Sequence, residues 1–86
     1  MTNRQRGLIK SVHSQEQAAL RGLMIAARKK ARLTQQEVAN RLKRHQSFVA
    51  KYEGGERRLD VVEFLAITRA IGADPVRLLK SLIRQL

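Results

Sequence analysis

The chain has 86 residues, of which 18 are Lys or Arg against seven Asp or Glu, for a formal net charge of +11, and it contains no cysteine. That length accommodates one domain with one core; the missing cysteines exclude disulfides and thiolate metal sites, and no apolar run is long enough to cross a bilayer. The charge points to a polyanionic partner, but by attraction alone DNA, RNA, an anionic membrane and a merely solubilising surface all fit.

The basic excess is uneven. Met1 to Arg32 hold eight basic residues and one acidic residue, whereas Leu59 to Leu86 hold four and three. Residues 1–13 are basic, contain Gly7 and show little apolar periodicity, so they read as a flexible arm that either wraps a duplex or stays disordered. Ser14 followed by Gln17 has capping-box spacing, and Leu20, Leu23, Met24 and Ala27 recur on one face of a first helix ending near Ala31. Thr34 with Glu37 repeats the box and starts a second helix from Gln35 to about Leu42, burying Val38, Ala39 and Leu42. A third, short helix from Gln46 to about Glu53 buries Val49 and Tyr52, and Gly54 and Gly55 end it. Asp60 with Glu63 opens a fourth helix carrying Val61, Phe64, Leu65, Ile67 and Ile71 at helical spacing, stopped by Gly72. Asp74 and Pro75 then start a fifth. No stretch alternates with period two for long, so the expected fold class is all-α, with the chain divided into the arm and a domain over residues 14–86.

The string LTQQEVANRLKRHQSFVAKYEGG, Leu33 to Gly55, places two short helices across a gap of about three residues, the helix-turn-helix layout spanning about residues 34–53. The exposed face of the third helix is then expected to carry Gln46, Ser47, Ala50 and Lys51. This set suits a DNA groove: glutamine bonds an adenine edge with both amide atoms, serine bonds several bases, alanine touches a thymine methyl, and lysine reaches guanine or phosphate.

Thr34-Gln35, Val38-Ala39, Gln46-Ser47 and the stretch Tyr52 to Asp60 (YEGGERRLD) together resemble the lambda-repressor-like family of phage repressors, Cro proteins and xenobiotic-response-element-like regulators, over roughly Leu20 to Leu82. The resemblance implies five helices with the third in the major groove. It implies that Gln35 contacts a phosphate and braces Gln46, and that Gln46, Ser47 and Lys51 face base edges. Thr34 would meet the DNA backbone, as would Lys43, Arg44 and His45 in the turn. Arg28 and Glu53 match a family ion pair between helix one and the end of helix three. Arg57 and Arg58 occupy a loop that touches phosphate in the family, although a solvated loop explains them almost as well. Phe48 either covers the core beside Leu42 or lies against the sugar-phosphate backbone.

The sequence departs from the family where Arg32 and Lys43 stand in place of frequent glycines. Each costs roughly 1 kcal/mol if the left-handed backbone is kept, unless the turn is reshaped. His45 is a weak cap for helix three.

The fifth helix presents Val76, Leu78, Leu79, Leu82, Ile83 and Leu86, a broader apolar face than one side of a small core requires. Leu79, Leu82, Ile83 and Leu86 are expected to pair two copies; the alternative folds Leu82, Ile83 and Leu86 back onto helix one. The resulting reading is a cytoplasmic, homodimeric regulator, most simply a repressor, on a near-palindromic duplex. The antitoxin of a toxin–antitoxin pair, which also binds its operator, is the alternative function. Sequence-tolerant RNA binding has little support, because only three aromatics are present and two of them, Tyr52 and Phe64, are assigned to the core. No triad, phosphate-cradling glycine loop or metal cluster is legible, so neither an enzyme nor a cofactor is expected.

Overall fold

The computed structural model describes residues 14–86, and the expected basic arm lies outside them. Five helices follow in chain order: α1 (Gln15–Lys30), α2 (Gln35–Leu42), α3 (Gln46–Glu53), α4 (Val61–Ile71) and α5 (Pro75–Gln85). No strand occurs among the described residues, and no helix among them is long and apolar enough to cross a membrane.

Each helix begins where a side chain satisfies an amide that the first turn leaves without a partner. The Ser14 hydroxyl accepts from the Gln17 N–H at 3.1 Å, and Asp74 accepts from the Val76 and Arg77 amides ahead of Pro75. The Thr34–Glu37 and Asp60–Glu63 boxes are both closed in each direction. His45 does cap α3: its Nδ1 accepts from the Ser47 N–H at 3.1 Å and lies 3.0 Å from the Ser47 hydroxyl. An unprotonated imidazole nitrogen can stand in for the usual hydroxyl or carboxylate oxygen.

Four of the five helices end at or just before a left-handed residue. Gly72 stops α4 at φ 84°, and Gly55 follows α3 at φ 82°. Arg32 and Lys43 keep the left-handed backbone despite their side chains, at φ 60° and 57°, so neither turn is reshaped. At Lys43 this geometry lets the Arg44 N–H reach back to the Ala39 carbonyl at 2.9 Å, closing the end of α2.

Met24 from α1, Val38 and Ala39 from α2, Phe48, Val49 and Tyr52 from α3, and Phe64, Ile67 and Ile71 from α4 form the core. Leu20, Ala27, Leu33, Leu42, Leu59, Ala73 and Leu78 pack around its margin. Two expectations for α4 are corrected: Val61 is 73% exposed and Leu65 43% exposed. The buried stripe is Phe64, Ile67, Thr68 and Ile71, the i, i+3, i+4, i+7 spacing of one face. Val61, in the first turn, lies outside that stripe. Thr68 enters the core because its hydroxyl donates to the Leu65 carbonyl at 2.9 Å within the same helix.

α5 rests on α1 and, less extensively, on α4, and contributes no fully buried residue. Leu78 and Leu82 are half-buried, whereas Leu79, Ile83 and Leu86 remain exposed.

Candidate nucleic-acid interface

An eight-residue helix is too short to persist alone in water, so α3 depends on its neighbours. It lies against α1 and α2 and buries Phe48, Val49 and Tyr52. At roughly 1.5–3 kcal/mol per fully buried large side chain, this inner face fixes the helix. On its other side Lys51 is exposed, but Gln46, Ser47 and Ala50 are half-buried. The expected outward face is therefore more enclosed than periodicity suggests, because its leading residue is bonded to α2.

A chain of hydrogen bonds runs from α1 to that leading residue. The Arg28 guanidinium grips Glu53 through Nε at 2.8 Å and Nη2 at 2.9 Å, and its Nη1 donates to the Leu33 carbonyl at 2.9 Å. The side chains are only 12% and 5% exposed, and the carboxylate raises the Arg28 pKa above its ordinary value. The second hydrogen-bonding role of Glu53 Oε1 is to accept from Gln35 Nε2 at 2.9 Å. Gln35 Oε1 in turn accepts from Gln46 Nε2 at 2.7 Å. One ion pair thus orients two glutamine amides in series. Gln46 retains its carbonyl oxygen and one N–H, while Gln35 retains one N–H.

The remaining candidate residues flank this array. Thr34 is exposed at the start of α2, where its hydroxyl accepts from the Glu37 amide at 3.0 Å and keeps its own hydrogen for an outside acceptor. Lys43, Arg44 and His45 are exposed in the turn before α3. Arg57, by contrast, is engaged within the chain. Its Nη1 and Nη2 hold Glu63 at 2.9 and 2.6 Å, and Nη1 also donates to the Arg58 carbonyl at 3.0 Å. The Arg57 contact holds the Glu63 carboxyl far below its ordinary value, to about 2. Phe48 is 7% exposed and so covers the core, with Arg44 and Arg57 over its ring at 4.0 and 4.9 Å. The links Gln35–Glu53, Arg57–Glu63 and Phe48 with its two arginines carried no signal in the sequence, since each joins residues of different elements or loops.

A family profile described as a helix-turn-helix domain matches residues 14–79. An XRE-family-like protein from Pseudomonas syringae pv. tomato str. DC3000 is 49% identical, with 86% of this chain and 92% of that one covered at a TM-score of 0.80. This chain belongs to the XRE family of helix-turn-helix proteins. A mutant of the restriction-modification controller protein C.Esp1396I shares the fold at 18% identity and a TM-score of 0.76, covering 84% of this chain and 91% of that one. No curated protein matches the chain. As an XRE-family protein with an all-α helix-turn-helix fold, it is a DNA-binding transcriptional regulator. Within that family frame, α2 and α3 are the helix-turn-helix pair.

Proposed function

We propose that the protein reads a specific duplex sequence by placing α3 in the major groove and, as a repressor, occupies an operator. The observation that carries this reading is the Gln35–Gln46 bond. It consumes one hydrogen of the Gln46 amide and leaves the oxygen and second hydrogen, which is the acceptor-and-donor pair that matches N6 and N7 of adenine. Holding the amide in place beforehand removes much of the ordering cost that a free glutamine meets on binding. Ser47, Ala50 and Lys51 extend the base-facing set, while Thr34, Gln35, Lys43, Arg44, His45, Arg57 and Arg58 meet phosphates.

Two copies pair through Leu79, Leu82, Ile83 and Leu86, of which Ile83 is 68% and Leu86 71% exposed. An isologous pair sets its two α3 helices about one DNA turn apart, ~34 Å, and demands a near-palindromic site.

Selection from a random duplex library tests both statements at once, since it returns a motif and a half-site spacing. On the selected site, Gln46→Ala is expected to lower affinity by about 1–3 kcal/mol while leaving random duplex binding nearly intact. An equal loss on both duplexes would show that Gln46 does not read bases.

A further inference from the structure

Resting on the duplex-binding reading above, we propose that Arg44 and Arg57, held on the Phe48 ring with Glu63 as an anchor, form a preassembled clamp for a backbone phosphate of the duplex. The ring is fixed before the arginines reach it: Phe48 is nearly buried and meets Tyr52 edge-on with centroids 5.4 Å apart. The Arg44 guanidinium carbon lies 4.0 Å and that of Arg57 4.9 Å from the Phe48 centroid. Both distances fall within cation–π range.

Two guanidinium groups at one ring repel each other unless a negative charge is near. Glu63 supplies it, gripping Arg57 through both carboxylate oxygens and being stabilised in its charged form by Arg44 as well. Attraction to a ring face consumes no hydrogen-bond donor, so the guanidinium N–H groups not otherwise bonded remain for phosphate, which they bind as a fork. Arg57 has spent three hydrogens, two from Nη1 and one from Nη2, which leaves the Nε–H and one Nη2 hydrogen. Arg44 donates no side-chain hydrogen bond among the described residues. Arg28 differs: all three of its nitrogens are committed inside the fold. Arg44 sits in the turn before α3 and Arg57 in the loop after it, so the clamp brackets the helix that the reading above places in the groove. Phe48 is thus a positioning residue, acting through the arginines and not on the DNA.

The test is a double-mutant cycle on duplex affinity over a salt series, using the selected site and a random duplex. Arg44→Gln and Arg57→Gln are each expected to reduce the salt slope by about one unit. Site-specific replacement of Phe48 by trifluorophenylalanine drains the ring face of charge at nearly unchanged shape. It should weaken binding to both duplexes by the same factor, about two- to fivefold. Phe48→Leu should act in the same direction, with thermal melts reporting its separate effect on folding. In the Arg44→Gln, Arg57→Gln background the fluorinated ring should have no further effect. If wild type discriminates between duplexes through Gln46 but the fluorinated protein binds as wild type does, the clamp is wrong and the groove reading stands. The clamp is equally wrong if the fluorinated ring costs as much in the doubly substituted background. A wild-type protein without salt-dependent duplex affinity overturns both.

Discussion

Among the described residues the Tyr52 hydroxyl is buried with no hydrogen-bond partner, although its ring is among the largest fully enclosed side chains. A buried hydroxyl that forfeits its water bonds without replacement is destabilising, whereas the ring itself contributes packing. Tyr52→Phe is therefore expected to stabilise the fold by about 1 kcal/mol, a rise of roughly 4–8 °C in melting temperature at this size. Burial also pushes the phenol pKa up. The folded state then keeps its proton where the unfolded chain loses it, so stability falls as pH rises past the ordinary tyrosine value of about 10. Tyr52→Phe should flatten that alkaline limb, and urea melts across pH would show it. Glu63 has the opposite sign. Its folded pKa of about 2 lies below the ordinary 4.5, so its contribution is fully present above pH 4.5 and is lost as pH falls toward 2. Glu63→Gln, which can still close the capping box, should reduce the acid-induced loss of stability over that window. An unchanged acid limb would mean that the Arg57–Glu63 pair does not persist in solution.

Helix limits were legible in the sequence because caps are local rules. Thr34 with Glu37 and Asp60 with Glu63 each satisfy amides within one turn, so spacing alone places the starts of α2 and α4. The faces were less legible. In α4, helical spacing admitted Val61 and Leu65 to the core and passed over Thr68, because periodicity does not say how wide a stripe the neighbouring helices cover. The turn between α2 and α3 carries a separate cost, since Lys43 holds a left-handed backbone at φ 57° that glycine adopts freely. Relief of that strain outweighs the extra freedom glycine gains in the unfolded chain. Lys43→Gly is expected to stabilise by about 0.5–1 kcal/mol in urea unfolding. A destabilised variant would show that the Lys43 side chain contributes to the turn in another way.

For the molecule as a whole, α5 carries the surface proposed for assembly. It rests on α1 with Leu78 and Leu82 half-buried, while Leu79, Ile83 and Leu86 stay exposed, so the proposed pairing uses this outer margin with Leu82 at its edge. Ile83→Glu, at a position 68% exposed, should leave the monomer fold intact yet place a charge in the proposed dimer interface. Sedimentation is expected to show at least a tenfold weaker dimer, roughly 1.4 kcal/mol or more, with a parallel loss of affinity for a two-half-site duplex. Wild-type protein that stays monomeric at high micromolar concentration would remove the dimer from the reading.

The sequence by itself determined the helix count, the helix limits, the charge balance and the helix-turn-helix spacing, because each depends on residues within a few positions of one another. Tertiary structure alone decided which free groups face outward. Gln35 bonds Glu53, Arg57 grips Glu63, and Phe48 carries Arg44 and Arg57. Those partners are chosen by how helices and loops dock, and a hydrogen bond or stacking contact is decided within an ångström that no sequence spacing fixes.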